Sequence, residues 1–357
     1  MKTVIIHHHD LDGYAAGAIA RCYYPEAATI SLNYDGCARI PAAETLLAAY
    51  DKIIVVDYTL PLPAMKALYD NGRLLWIDHH ASAIRNAITG GFSEAPGLRC
   101  APGELVCAAE LAWSFFTARP VPKLLHLIGD YDTFRNYRDS AFNDVVLPFF
   151  YATQVDFQTR FNPCNFGCAG YLFNSVAAFE DDDIAARLIR DGRLIKAYND
   201  SYFDQLLAES AFVRTIEGLR MLCFNCAGHG SANMVRAFNP AEHDAMLLFS
   251  FNGSGWNYGL YTDGDAKPEV DLSLIAQRYG GGGHRCAAGF HTQHLLPELS
   301  TPPARPVSSR SSHRPYPSLF QRCFRFFLPV SNSTGGRSAS FHPAWCSSCW
   351  ERCSAPC

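Results

Sequence analysis

Four short clusters of acids and histidines lie within the first 133 residues of this chain. They are His7-His8-His9-Asp10-Leu11-Asp12-Gly13, Asp57 behind Ile53-Ile54-Val55-Val56, Asp78-His79-His80, and Asp130-Tyr131-Asp132-Thr133. Carboxylate and imidazole are the ligand types that suit Mn²⁺, Zn²⁺ or Fe²⁺. Two such ions held close together clamp the attacking and leaving oxygens of a phosphoryl displacement. The residue types therefore point to a phosphoesterase that uses two divalent cations. Each cluster is weak evidence alone, since Asp-x-Asp-Gly is also an ordinary turn former. Their order and their strand context carry the reading.

Three of the clusters directly follow apolar runs of strand character. Lys2–Ile6, Lys52–Val56 and Arg73–Ile77 read as buried strands, and Gly13–Cys22, Ala64–Asp70 and Glu104–Thr117 as helices between and after them. Alternating strands and helices indicate a parallel α/β sheet. Its buried strands should be continuous apolar runs, as these are. Ligands bind beyond the carboxyl ends of such strands, where Asp10, Asp57 and Asp78 all fall. Residues 151–180 are aromatic and irregular, and a helix is expected from about Asp181 to Glu209. Met221–Phe224, Ala245–Phe251 and Asn257–Tyr261 read as strands, and Asp271–Tyr279 as a helix ending in Gly280-Gly281-Gly282-Gly283-His284. The expected organisation is a catalytic domain over 1–150, a helical connector over 151–212, a smaller α/β domain over 213–294, and a disordered tail over 295–357.

The chain has 357 residues, 48% apolar and 18% charged, with a formal charge of −4. That charge is uneven. Residues 301–357 hold seven arginines, no lysine and one acid, which leaves the rest at about −10. An acidic body argues against broad binding to long nucleic acid. It does not exclude a phosphate substrate at a local metal site, because bound cations invert the local charge. With no run of 18 apolar residues, no transmembrane helix is expected. Met1–Ile6 is too short for a signal-peptide core, so the reading is of a cytoplasmic protein whose 14 cysteines are thiols. Cys346, Cys349, Cys353 and Cys357 form at most a weak zinc pattern.

In combination the motifs resemble the DHH phosphoesterase superfamily, which includes RecJ-type exonucleases, family II pyrophosphatases and nanoRNA/pAp phosphatases. The resemblance rests on His-x-Asp-x-Asp-Gly at 8–13, Val-Asp at 56–57, Asp-His-His at 78–80 and Asp-Thr at 132–133. Independently, Ile275-Ala276-Gln277-Arg278-Tyr279-Gly280-Gly281-Gly282-Gly283-His284-Arg285-Cys286-Ala287-Ala288-Gly289-Phe290 resembles the signature of the DHH-associated C-terminal domain. The resemblance spans about residues 1–292. His-x-Asp-Leu-Asp-Gly-Tyr at 8–14 and Tyr-Asp-Thr-Phe at 131–134 tilt it toward the nanoRNase/pAp branch.

It implies that His8, Asp10 and Asp57 hold one ion, and Asp12, Asp57, His79 and Asp132 the other. His7 and His9 are alternates to His8, and Asp130 to Asp132. His80 is implied as the catalytic group facing substrate, with Asp78 orienting a ligand histidine. Gly281, Gly282, Gly283 and His284 are implied to cradle a substrate phosphate, and Arg135 or Arg138 to add charge. The arginine that many relatives carry on the strand before the Gly-rich helix is missing from Gly259-Leu260-Tyr261. The expected activity is hydrolysis of short RNA from the 3′ end, of pAp or of linear dinucleotides. The alternatives are an inorganic pyrophosphatase or polyphosphatase, a processive RecJ-like exonuclease, and a non-enzymatic module with a decayed site. Partners beyond a short oligonucleotide or nucleotide phosphate, and the oligomeric state, are not legible.

Overall fold

Val4-Ile5-Ile6 forms the middle of β1 (Thr3–His8) in the computed structural model, which describes residues 1–33, 40–101, 104–227 and 237–300. After β1 come α1 (Leu11–Tyr23), β2 (Ala28–Leu32), α2 (Ala43–Ala49), β3 (Lys52–Val56), α3 (Leu62–Asp70), β4 (Leu74–Ile77) and α4 (Ala81–Gly90). The four strands form one parallel sheet in the order β2-β1-β3-β4. Strand alternation splits their side chains between two cores. Ile5, Ile54, Val56 and Ile77 face the layer holding α1, α5 (Ala108–Thr117) and α6 (Lys123–Asp132). Val4, Ile6, Ile53, Val55 and Trp76 face the layer holding α2, α3 and α4. A sheet covered on both sides explains the unbroken apolar runs.

The aromatic stretch folds into short helical turns. α7 (Leu147–Thr153), α8 (Phe157–Phe161) and α9 (Val176–Phe179) surround buried Phe149, Phe161, Phe173 and Phe179. The long helix α10 (Asp182–Ser210) follows, its first turn capped by the Asp181 side chain, which accepts from the Asp183 N–H. Near its start, Ala185, Leu188 and Ile189 pack into the first core. Near its end, Phe203 packs against Phe224, Met246 and Leu248.

Those last residues belong to a second, mixed sheet of β5 (Phe212–Ile216), β6 (Leu219–Asn225), β7 (Ala245–Phe251), β8 (Trp256–Tyr261), β9 (Gly282–Gly283) and β10 (Ala287–Thr292), in the order β5-β6-β7-β8-β10-β9. The β6–β7 pair is parallel and the others are antiparallel. α11 (Leu272–Arg278) covers the face opposite α10, packing Leu272, Ile275 and Ala276 on Leu247 and Leu260. Residues just past the Gly-rich signature also pack here. Leu296 is buried and donates its N–H to the Tyr258 hydroxyl, and the Arg214 guanidinium donates to the Glu298 carbonyl. Both sheets belong to one compact unit. Among the described residues no helix is long and apolar enough to cross a membrane. The tail expected to be disordered from 295 onward instead packs on the second sheet through residue 300; its remainder, 301–357 with the four cysteines named above, lies outside the described residues.

Candidate metal centre

Strand alternation selects among the three consecutive histidines. His7 turns under α1, fully buried, its ring edge-on to Tyr14 and against Gly17. Burial pushes its pKa down to about 4. His9 lies against Tyr14, Ser31 and Gln158. His8, one residue away from each, faces the carboxylates. Its Nδ1 is 2.7 Å from Asp10 Oδ2 and 3.6 Å from Asp57 Oδ2.

Asp10 ends the turn and caps α1, accepting the Gly13 N–H at 2.9 Å. A Cβ on Gly13 would stand 2.5 Å from the His8 carbonyl, so only glycine lets the helix start this close to the strand. One helical residue before it, Asp12 reaches across to α5. Its two oxygens accept the Ala108 and Ala109 N–H groups, each at 2.7 Å. Those amides have no partner within their own helix, and the helix dipole favours an anion there.

Asp57 follows β3 with φ of 53°, the left-handed region, and is 1% exposed. Neither of its oxygens makes a hydrogen bond of normal geometry. The nearest nitrogens are His79 Nε2 at 3.3 Å, His8 Nδ1 at 3.6 Å and His80 Nδ1 at 3.7 Å. Asp132, the last residue of α6, places Oδ2 3.4 Å from His79 Nε2, buried and likewise without a hydrogen bond. Asp130 stands about 200° away around the same helix. It is held by Arg135 at 2.7 Å.

Two triads result. His8, Asp10 and Asp57 offer three ligand atoms within 4.8 Å of one another, and so do Asp12, His79 and Asp132. Burial, reinforced by Asp12 and Asp10, pushes the Asp57 pKa well above the carboxylate range. Burial does the same to Asp132; His79 opposes it, while Asp12 and Asp57 add to it. Burial disfavours the charged forms of His8 and His79, yet Asp10 and Asp132 respectively prevail and raise them. Crowded, desolvated carboxylates with unsatisfied oxygens fit oxygen- and nitrogen-seeking divalent cations, which would neutralise the charge and fill the missing contacts.

Asp78 differs from the other acids. It is fully buried, and every contact is a donor: the His79 and His80 N–H groups, His80 Nδ1 at 2.7 Å, the Thr59 hydroxyl at 2.7 Å and the Trp76 indole N–H at 3.2 Å. Burial opposes its ionisation, but the His80 imidazole and the amides hold it below the carboxylate range. An ionised carboxylate can only accept. The proton of His80 therefore sits on Nδ1, and Nε2 is the nitrogen left to exchange one. Thr59 and Trp76 were not legible as site residues, although Trp76 lies two residues before Asp78 on β4 and so on the same face.

The Gly-rich turn of the second sheet closes over these histidines. The His284 ring stacks on His80 with centroids 4.9 Å apart and lies 5.3 Å from His79. Burial, then His80 and His79, push its pKa down to about 3, so the imidazole is neutral. One expectation needs correction. The Gly281 N–H already donates to the Ala276 carbonyl, and a Cβ there would stand 2.1 Å from the Gly289 carbonyl. Gly281 shapes the turn and has no amide to give a phosphate. Around Gly282 nothing lies within 4 Å of an added Cβ. Gly281→Ala should therefore lower stability by about 2–4 kcal/mol, in the range of strained backbone and overpacking. Gly282→Ala should stay within about 1 kcal/mol; thermal melts of the two variants check this.

The two arginines are also committed elsewhere. Arg135 binds Glu110 and Asp130, tying the start of α5 to the end of α6. Arg138 binds Asp263 and Asp265 just past β8 and so ties the segment after α6 to the second sheet. Sequence reasoning named Asp130 only as an alternate ligand and missed Glu110, Asp263 and Asp265, because nothing local marks these pairings.

No protein-family model matches the chain. Over 192 residues it is 23% identical to uncharacterized protein R106 of Acanthamoeba polyphaga mimivirus, a match covering 50% of this chain and 39% of that protein. The chain thus matches well under half the length of that relative. Among solved structures, a pGpG-specific phosphodiesterase, PggH, from Vibrio cholerae is similar at 11% identity and TM-score 0.39, over 82% of this chain and 93% of that one. Exonuclease RecJ bound to manganese is similar at 16% identity and TM-score 0.39, over 81% and 85%. An uncharacterized protein from Helicobacter pylori G27 is similar at 17% identity and TM-score 0.33, over 83% and 94%. All are distant likenesses.

Proposed function

We propose that this chain is a metal-dependent phosphoesterase of the DHH type that hydrolyses short RNA, pAp or linear dinucleotides. The observation that carries the reading is the convergence of His8, Asp10, Asp12, Asp57, His79 and Asp132 from separate segments into two adjoining triads with orphaned buried oxygens. His8, Asp10 and Asp57 would hold one cation, and Asp12, His79 and Asp132 the other, with Asp57 close enough to His79 to serve both. Bound there, the cations supply an activated water and neutralise phosphate charge. The chain's own residues do the rest. Asp78 fixes the His80 ring by accepting from Nδ1–H, and when His80 is in its imidazolium form the second proton, on Nε2, passes to the leaving oxygen. His284 holds the neighbouring phosphate or sugar from the opposite wall and excludes water. That wall, tied down by Arg138, narrows the opening and favours short substrates over long strands.

A panel of inorganic pyrophosphate, pAp, two-to-five-nucleotide RNA and a 24-mer, each with Mn²⁺, tests this. Short RNA or pAp should turn over at least about 100-fold faster than the 24-mer, a difference near 2.7 kcal/mol in the barrier. Hydrolysis of pyrophosphate alone would refute the substrate assignment. Equal rates on 3-mer and 24-mer would favour a processive exonuclease. Metal binding has its own readout. Mn²⁺ at about 100 times its Kd should add about 2.7 kcal/mol of stability, and EDTA should remove it. An unchanged melt would argue against both cation sites.

A further inference from the structure

α10 carries a stripe that no part of the described chain covers. Leu194, Tyr198 and Tyr202 are 80%, 72% and 59% exposed. They stand four residues apart, so one helix face presents all three. Exposed polar residues extend the stripe at both ends: Arg187 and Asp191 before it, Gln205 and Glu209 after it. At 3.6 residues per turn all seven fall within an arc of about 80°. The opposite face is the one that packs into the two cores, through Leu188, Ile189 and Phe203.

The spacing of the stripe is a palindrome. From Arg187 to Tyr198 the steps are four, three and four residues, and from Tyr198 to Glu209 they are four, three and four again. The chemistry is complementary about the same centre. If a second, identical helix crosses antiparallel at Tyr198, Leu194 meets Tyr202 of the other copy, Asp191 meets Gln205, and Arg187 meets Glu209. A parallel crossing would instead set Arg187 on Arg187 and Glu209 on Glu209. Among the described residues Arg187 has no acidic partner within its own chain, whereas Asp191 pairs with its neighbour Arg190 and the Gln205 amide donates to Glu209, exposed contacts that a second copy would exchange.

From this pattern we infer that two copies of the chain associate through α10, antiparallel, on a two-fold axis at Tyr198. The contact is isologous, so each end is used twice and the assembly closes at two. It is also small. The 23-residue span from 187 to 209 is about 34 Å long. One helix strip buries less than the ~1,600 Å² of a standard interface, which places the dimer among weak ones. A dissociation constant on the order of 10–100 µM is expected, or roughly 5–7 kcal/mol. The inference does not depend on the catalytic reading.

Sedimentation equilibrium of the full chain from about 1 to 300 µM tests it, with thermal melts confirming that each variant is folded. The wild type should pass from monomer to dimer across that range. Tyr198→Glu should weaken association at least about tenfold, because two carboxylates would meet on the axis. Arg187→Glu and Glu209→Arg should each weaken it about 3–10-fold, and the double variant Arg187→Glu/Glu209→Arg should return to within about twofold of wild type, as expected for a coupled charge pair. A chain that stays monomeric at 300 µM overturns the proposal. So does a dimer indifferent to Tyr198→Glu, or a double variant no better than either single one. A monomer in which Tyr198→Ala weakens binding of a short RNA would instead assign the stripe to substrate and likewise defeat the dimer.

Discussion

Asp57→Asn should reduce Mn²⁺-dependent hydrolysis by about 10³-fold or more, equivalent to some 4 kcal/mol in the barrier, while the metal-free protein melts at the same or a higher temperature. The two effects have one cause. Asp57 is buried among Asp10, Asp12 and Asp132, and its oxygens have no hydrogen-bond donor at normal geometry. In the metal-free protein its charge is a liability, and a neutral amide removes it. With metal bound as proposed, the same charge would help hold the cations, and the amide cannot replace it. Asparagine also tolerates the left-handed backbone that Asp57 adopts. Asp57→Ala should lose the same activity but also about 1 kcal/mol of stability through backbone strain. Activity assays beside melts with and without Mn²⁺ separate the terms. A folded Asp57→Asn protein with near-normal turnover would overturn the metal assignment.

Asp78→Ala should be the most destabilising change at the site, by about 3–5 kcal/mol, because it strands several buried donors at once. Denaturant melts measure it. The sign of its pH dependence follows from the depressed pKa. The stabilisation is full above the ordinary carboxylate pKa and is lost as pH falls through the lower folded value. Asp78→Asn is the finer probe. Its amide keeps an acceptor oxygen for the backbone N–H groups but no longer fixes a proton on His80 Nδ1. We expect it to fold and to lose about 10²–10⁴-fold in kcat with little change in KM, the range of general acid catalysis. An Asp78→Asn enzyme that lost only affinity would show that His80 does not handle the proton.

The first sheet was largely legible because burial on both faces writes it as apolar runs. β3 spans Lys52–Val56 as read, and β1 and β4 differ only at their ends. β2 escaped notice because Ala28–Leu32 is an edge strand, mostly part-exposed, with no such run. β5 escaped for the same reason. α5 begins at Ala108 rather than Glu104, since its first amides are taken by Asp12. α6 was missed although Leu124, Leu125, Leu127 and Ile128 give it a helical apolar face. That omission left Asp130 and Asp132 undecided, whereas the turn of a helix separates them. The choice among His7, His8 and His9 was similarly latent in strand alternation. The pairings of Arg135 and Arg138 depend on chain crossings that no local pattern encodes.

The wide spacing of the triads has a consequence for the newly made chain. His8 is synthesised 124 residues before Asp132, and His284 another 152 residues later. At about 5–20 residues per second, translation separates the first two by roughly 6–25 s and delays the third by a further 8–30 s. During the first interval the nascent chain exposes acids and histidines with no set geometry to tell one divalent ion from another. Discrimination between ions can begin only once α6 has emerged and docked. Because the wall bearing His284 is made last, a cation held by these residues under the proposed reading would stay exchangeable through most of synthesis.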